Sequence, residues 1–318
     1  MAFLKKINSK ATAQSNTGFG TNASSYGGRF VSKSGHANVR KTGIGFFDGI
    51  SWFHTMLMIP RWKFLFIVIL FYFLVNCMFA TMYYLIGVEH LNGMTATTKI
   101  DQFGQAFFFS IQTFTTVGYG HISPSGFLTS LVAAVEALFG LLSFAIATGL
   151  FYGRFSKPKA HILFSENALI APYKEEKALM MRLTPYKNAM LTEVEAKVTL
   201  GLQVEENKSL ANKFYILDLE MHQVNSLNLS WTLVHPITES SPIYGFTEAD
   251  FKNVNGEIMV YIKAFDDLYS NSVVKRTSYT FDEVVYGAKF ELMYTRSTDD
   301  TKTILEIDKL NSYSKVAL

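Results

Sequence analysis

The sequence predicts a helical membrane unit with two spans and a short re-entrant segment between them, followed by an all-β domain. Three observations carry this reading. Phe64 to Val88 form a 25-residue run without a formal charge, and Phe127 to Gly153 form a second apolar run interrupted only by Glu136. After Pro158 the long apolar runs give way to short ones in which apolar and polar residues alternate. At 318 residues the chain has room for about two domains.

Composition narrows the class. Hydrophobic residues at 49% and charged residues at 17% exclude a disordered chain. A single cysteine, Cys77, excludes a disulfide framework within the chain and any cysteine-based zinc site. The seven histidines lack metal-ligand spacing, and no HExxH, Walker loop or nucleophile elbow occurs, so neither an enzyme nor a nucleic-acid partner is expected. The net charge of +3 hides an uneven distribution. Residues 1–63 carry nine Lys/Arg against Asp48 alone, residues 64–153 sum to −2, and residues 154–318 sum to −3.

Residues 1–45 are rich in Gly, Ser, Asn, Thr and Lys and read as a flexible N-terminal tail. In residues 46–60, apolar Phe46, Phe47, Ile50, Phe53 and Leu57 recur at helical spacing while Asp48 and His54 fall elsewhere. That pattern fits an amphipathic helix in the headgroup layer, or one packed on protein. Pro60 breaks the helix before the chain turns into the membrane. Residues 61–157 form the membrane domain, with an outer helix over 62–88 and an inner helix over 127–155. At 1.5 Å per residue, 25 residues cross a ~30 Å hydrocarbon core with some tilt. Glu136 at mid-span costs about 2.5–3.5 kcal/mol on insertion scales, so it is expected to face a bundle interior or water. Gly140, Gly149 and Gly153 offer close-packing or bending points, with Gly140 and Gly149 as hinge positions. Arg61 and Lys63 precede the first span, Arg154, Lys157 and Lys159 follow the second, and the loop between has only Lys99, so both termini are expected in the cytoplasm of a cell-membrane protein.

The loop between the spans holds a third apolar stretch, Phe103 to Phe114, too short to cross. It reads as a re-entrant helix over 103–115, and irregular backbone at that depth is tolerated only inside protein or along a watery cavity. Residues 116–120 follow as Thr116-Val117-Gly118-Tyr119-Gly120. Gly118 and Gly120 permit dihedrals that turn successive carbonyls the same way. Rings of such carbonyls, extended by the Thr116 hydroxyl, can replace the hydration shell of K⁺, and the helix C-terminus favours a cation beyond it. One chain supplies one segment of each ring, so a closed rotational assembly is required; four copies make the known filter, and a homotetramer is expected with K⁺ held at Thr116, Val117, Gly118 and Tyr119 and no other cofactor. After Pro158, alternating segments such as Val194–Leu202 and Ile258–Ala264, with runs at 161–170, 214–219, 229–234, 289–295 and 303–307, argue an antiparallel sandwich over 158–318. No GxGxxG follows a strand, which argues against a Rossmann-type nucleotide sensor.

Thr116 to Gly120 match the potassium-channel signature, and the wider pattern resembles the inward-rectifier potassium channels, in particular their prokaryotic branch. The resemblance runs over roughly residues 46–300. Its carriers are Phe107-Phe108-Phe109-Ser110, Thr148-Gly149-Leu150, Arg154-Phe155-Ser156-Lys157-Pro158-Lys159, Phe164 to Ile170, and Trp231-Thr232-Leu233-Val234-His235-Pro236 with its continuation to Pro242. It implies a cytoplasmic immunoglobulin-like domain that extends the pore and a slide helix at 46–60 that couples the domain to the gate. It also implies a basic collar of Arg61, Trp62, Lys63, Arg154, Lys157 and Lys159 at the anionic inner leaflet, each cation worth ~1 kcal/mol there. The gate falls on Phe144 and Tyr152, eight residues apart on one helix face and about 12 Å from each other.

Four departures from the family pattern are visible. Gln112 stands where relatives carry a glutamate; with Thr115 it is expected to support the filter, but without a charged brace. Phe144 replaces the acid of strong rectifiers, leaving Glu136 as a partial substitute if it faces the cavity. Glu195 matches an acidic position of the cytoplasmic pore, while Lys263 replaces the other. Block by Mg²⁺ or polyamines, and hence rectification, should be weak, with Ba²⁺ as a further cationic blocker. The outer-loop cysteine pair of eukaryotic relatives is absent. The competing readings are a K⁺ transporter subunit, which would carry several degenerate pore repeats, and a non-conducting membrane-tethered binding protein.

Overall fold

Pro60 divides two helices. The computed structural model, which describes residues 8, 10–13, 29–43, 45, 51–187, 190–206, 209–297, 299 and 301–318, places α1 at Trp52–Met58 and α2 at Arg61–Ile86. Ile59, extended as a residue before proline tends to be, ends the first helix, and Pro60 starts the second, where a missing N–H costs nothing. Of the amphipathic segment expected over 46–60, residues 52–58 are helical; Phe46, Phe47, Asp48 and Ile50 lie outside the described residues. The outer helix ends at Ile86, two residues earlier than expected, because Gly87 takes φ +121° and a short 3₁₀ turn, Val88–His90, follows.

The chain divides into two units, residues 42–157 and residues 1–41 with 158–318. In the first, β1 (Leu91–Asn92) pairs with β2 (Ser123–Pro124), so the segment between them is closed at its base. That segment begins with α3, Lys99–Phe114, four residues earlier than expected because Thr98 caps it by accepting the Asp101 N–H. At 16 residues α3 is about 24 Å long, short of a full crossing. α4, Phe127–Phe155, starts after Gly126 (φ +83°) and runs unbroken through Gly140 and Gly149. Among the described residues, α2 and α4 are the two helices long and apolar enough to span a membrane. The buried cluster of this unit joins Val75, Phe79, Ala80 and Tyr83 of α2 to Ala106, Phe109 and Phe114 of α3. Tyr83 meets Phe109 edge-on at 5.1 Å. Phe66, Ile69, Phe73 and Leu74 of α2 and Leu138, Leu141 and Ile146 of α4 remain exposed. Helices apolar on all sides suit hydrocarbon rather than water.

The second unit is a β-sandwich. Its strands are β3 (Ile162–Phe164), β4 (Ala168–Tyr173), β5 (Glu176–Pro185), β6 (Leu191–Glu206), β7 (Ser209–Leu217), β8 (Gln223–Ser226), β9 (Trp231–Pro236), β10 (Gly256–Asp266), β11 (Asn271–Thr280), β12 (Val284–Tyr286), β13 (Ala288–Phe290), β14 (Tyr294–Arg296), β15 (Thr303–Leu305) and β16 (Tyr313–Lys315), with α5 at Glu248–Asn253. One sheet runs β11-β10-β6-β7 with β8 on β6; the other runs β12-β4-β5-β3 with β9 on β5. Both supply one core, from Ile170, Leu179, Met181 and Leu183 on one side to Val194, Val198, Leu200, Val260 and Ile262 on the other. Among the described residues the pairing departs from the all-antiparallel expectation at one place, β12 against β4, which is parallel.

Two further findings were not legible as strands in the sequence. β5 is buried on both faces, so its apolar residues do not alternate. β11 reads as polar, yet Thr277, Ser278 and Tyr279 are buried. The cover on β11 is the chain's own N-terminal segment. Residues 29–38, expected within a flexible tail, form a turn closed by a Val31–Ala37 bridge and lie on this sheet. Glu257, 3% exposed, accepts the main-chain N–H groups of Phe30 and, at 2.9 Å, Val31. Arg29 and Lys33 pair with Glu283 at 3.0 and 3.1 Å. Gly35 turns at φ +87°, where a Cβ would sit 2.5 Å from the Arg276 carbonyl oxygen.

Candidate ion-selective site

α3 delivers its C-terminus to the site. Thr115 caps the helix, its Oγ1 donating to the Ile111 carbonyl at 2.7 Å, and Thr116 N–H donates to the Thr113 carbonyl at 3.0 Å. The Gln112 carbonyl accepts from both Val117 N–H (3.0 Å) and Gly118 N–H (3.2 Å). Gln112 thus holds the next residues by its main chain. Thr116, Gly118 and Gly120 have φ of +60°, +53° and +79°, and the residues between them do not. At Gly118 and Gly120 a Cβ would meet no atom within 4 Å, so the dihedral, not crowding, calls for glycine. For a β-branched residue such as Thr116 a positive φ costs about 1–3 kcal/mol. Alternating handedness turns successive carbonyls to one side of a strand. Thr115 through Gly120 are all exposed, with Tyr119 at 78%.

Behind α3 the structure corrects one expectation. Glu136 does not face a cavity. It is fully buried: Tyr83 Oη donates to its Oε2 at 2.5 Å, and its Oε1 meets the Ser110 hydroxyl. Ser110 Oγ is also 3.1 Å from Asn76 Oδ1, and the Asn76 amide donates to the Tyr72 carbonyl at 2.7 Å. Position 136 lies on the side of α4 that packs on α2 and α3, while Phe144 and Tyr152 lie on an open side, 72% and 74% exposed. Gly140 is a contact rather than a bend, since a Cβ there would sit 2.0 Å from the Phe114 carbonyl oxygen. Gly149 meets nothing within 4 Å and leaves the helix unbroken.

The basic residues divide by what they touch. Arg61, Trp62 and Lys63 are exposed, Trp62 at 83%. Arg154 is engaged inside its own unit: its guanidinium donates to the Met56 carbonyl and, at 2.8 Å, to the Ile59 carbonyl, and lies 4.5 Å from the Phe64 ring centre. It caps the end of α1, so it is less free for a lipid headgroup than the sequence implied. Lys157 and Lys159 are exposed. In the sandwich, Glu195 points away from the core, pairs with Lys197 at 3.1 Å and stands directly across from Lys263 in the β6–β10 register. One cation thus pairs with the carboxylate and a second stands opposite it in register.

Comparison with known proteins agrees with this architecture. Residues 162–318 match the model of the inward rectifier potassium channel C-terminal domain, and residues 63–157 match an ion channel model. The inward rectifier potassium channel Kirbac3.1 of Paramagnetospirillum magnetotacticum is 29% identical over 291 residues, covering 90% of this chain and 96% of that one. The chain belongs to the inward rectifier potassium channel family. The Caenorhabditis elegans inward rectifier irk-1 is 23% identical over 306 residues, 89% of this chain but 56% of that longer relative. The solved structure of the Bacillus subtilis sporulation control protein Spo0M matches at a TM-score of 0.20 and 9% identity over 40% of this chain and 49% of that one, too weak a likeness to bear on the fold.

In this inward rectifier family member, two membrane-length helices and a half-length third precede the β-sandwich in the chain. Sequence reasoning reached Gln112, Thr115 and residues 116–120, but missed Tyr83, Ser110 and Asn76. A signal was present: Asn76 is a lone amide in an uncharged span, and polar groups at membrane depth seek partners.

Proposed function

We propose that this chain forms a homotetrameric, K⁺-selective channel in the cell membrane, conducting passively through main-chain carbonyls of Thr116, Val117, Gly118 and Tyr119. The observation that carries it is the alternation of φ at 116, 118 and 120, tethered to the Gln112 carbonyl at the end of a half-length helix between two membrane-length ones. Four copies of that strand would build rings of oxygen that stand in for the hydration shell of K⁺. Their exposure in one chain agrees with the need for neighbours.

Phe144 and Tyr152, exposed on α4, would narrow the path below the filter in four copies, a hydrophobic gate at its cytoplasmic end. Both termini lie in the cytoplasm, as the flanking Arg and Lys residues require. Arg61, Trp62, Lys63, Lys157 and Lys159 would meet anionic lipid of the inner leaflet, with α1 lying in the headgroup layer. Rectification is weak: Phe144 holds no charge, Glu136 is buried, and Glu195 is matched by Lys197 and Lys263.

The test is Rb⁺ uptake into liposomes holding the purified full chain. Uptake blocked by Ba²⁺ and lost in Gly118→Ala is expected. Uptake of Na⁺ equal to that of Rb⁺, or a purified protein that is monomeric, would overturn the proposal.

A further inference from the structure

Four polar side chains, Asn76, Tyr83, Ser110 and Glu136, are buried completely where α2, α3 and α4 meet, although each lies in a segment chosen for apolarity. Buried polar groups of this kind are retained only when each finds a partner. Here they find one another. Asn76 and Tyr83 are seven residues apart, hence on one face of α2, and both converge on the carboxyl of Glu136, Asn76 by way of Ser110.

Counting protons sharpens the picture. Three oxygen–oxygen contacts must be satisfied: Tyr83 Oη with Glu136 Oε2 at 2.5 Å, Ser110 Oγ with Glu136 Oε1, and Ser110 Oγ with Asn76 Oδ1 at 3.1 Å. The Asn76 NH₂ is directed to the Tyr72 carbonyl, so Oδ1 is the atom that faces Ser110. The two hydroxyls own one proton each. A carboxylate would leave Ser110 with two acceptors and one proton. A carboxylic acid completes the set: Tyr83 donates to Oε2, Oε1 donates to Ser110, and Ser110 donates to Asn76.

Ser110 stands two residues before Gln112, whose carbonyl receives the N–H groups of Val117 and Gly118. The path from the cluster to the filter is therefore one turn of α3. We infer that Glu136 is a positioning residue, a hydrogen-bond donor that fixes the last turn of α3 against α2 and α4 and so sets the register of residues 116–120. This inference rests on the filter reading proposed above.

The experiment compares full-length wild type with Glu136→Gln, Glu136→Ala and Ser110→Ala in liposomes. It reads the Rb⁺-to-Na⁺ uptake ratio, the Ba²⁺ concentration for half block, and hydrogen exchange of the peptide covering 110–118. A Gln side chain can donate to Ser110 and accept from Tyr83, so Glu136→Gln is expected within about twofold of wild type on both flux readouts. Glu136→Ala and Ser110→Ala each remove two of the three contacts, and a drop in the ratio of at least fivefold to tenfold, the worth of about one such bond, is expected, with faster exchange over 110–118. Should Glu136→Ala fail to fold, Ser110→Ala, which removes a single oxygen, decides alone. Glu136→Gln as impaired as Glu136→Ala would overturn the donor role, and Ser110→Ala matching wild type in ratio and exchange would overturn the positioning role. A wild type that passes no Rb⁺ would instead sink the filter reading, while the exchange comparison would still test the cluster.

Discussion

Gly140 offers a severe test of how α3 is seated. A methyl group there would sit 2.0 Å from the carbonyl oxygen of Phe114 and 2.8 Å from its carbonyl carbon, both main-chain atoms with no rotamer to escape into. To reach an ordinary contact of 3.4 Å, α4 and the last turn of α3 must part by about 1.4 Å. That shift would stretch the Tyr83–Glu136 contact from 2.5 Å to beyond hydrogen-bond length and would break the Ser110–Glu136 contact with it. Overpacking costs about 1–3 kcal/mol and two buried hydrogen bonds about 1 kcal/mol each, so Gly140→Ala is expected to destabilise the unit by about 3–5 kcal/mol. Melting of the detergent-solubilised protein, followed by tryptophan fluorescence, should fall by about 10 °C or more on the usual scale for a domain of this size. Gly149→Ala is the matched control. Its Cβ meets no atom within 4 Å, and alanine inside a helix gains about 0.5–1 kcal/mol over glycine. Equal melting temperatures for the two variants would refute the reasoning.

Three other outcomes are expected. Arg182, 3% exposed and without a carboxylate partner among the described residues, donates to the main-chain carbonyls of Glu291, Lys309, Leu310 and Ser312 and lies 4.4 Å from the Phe290 ring centre, so Arg182→Met should cost about 3–5 kcal/mol and release the C-terminal segment to protease; a digestion pattern like that of wild type would contradict this. Burial pushes the Glu283 carboxyl up, but hydrogen bonds from Arg29, the Thr280 N–H and Lys33 outweigh it and hold the pKa below the ordinary 4.5. The docking of residues 29–38 should then be firm above about pH 4.5 and loosen as pH falls through the lowered value, read as loss of protection of the Phe30 and Val31 amides relative to their intrinsic exchange rate at each pH; protection unchanged by acid would count against it. Tyr152→Ala, by opening the proposed constriction, should raise basal Rb⁺ uptake severalfold, and uptake equal to wild type would remove Tyr152 from the gate.

The membrane unit was legible because its constraints are local. An uncharged run of 25 residues, a half-length apolar run and a Gly-x-Gly pattern are each readable along the chain, since a bilayer demands length and apolarity residue by residue. Alternation likewise revealed β6 and β10, each with a core-facing side and a solvent-facing side. Hidden were the elements whose environment comes from elsewhere in the chain. β5 lies within its sheet with both faces covered, which erases alternation, and β11 is polar because residues 29–38 supply its partners from some 240 positions away in sequence. Glu136 shows the same division most clearly. From the sequence it was an acid in a membrane helix that needed an interior or a watery partner; which of the two depended on the rotation of α4 about its axis. That rotation is set by the close approach at Gly140 and by Tyr83 and Ser110 on two other helices, and side-chain partners so far apart along the chain leave no periodic mark in it.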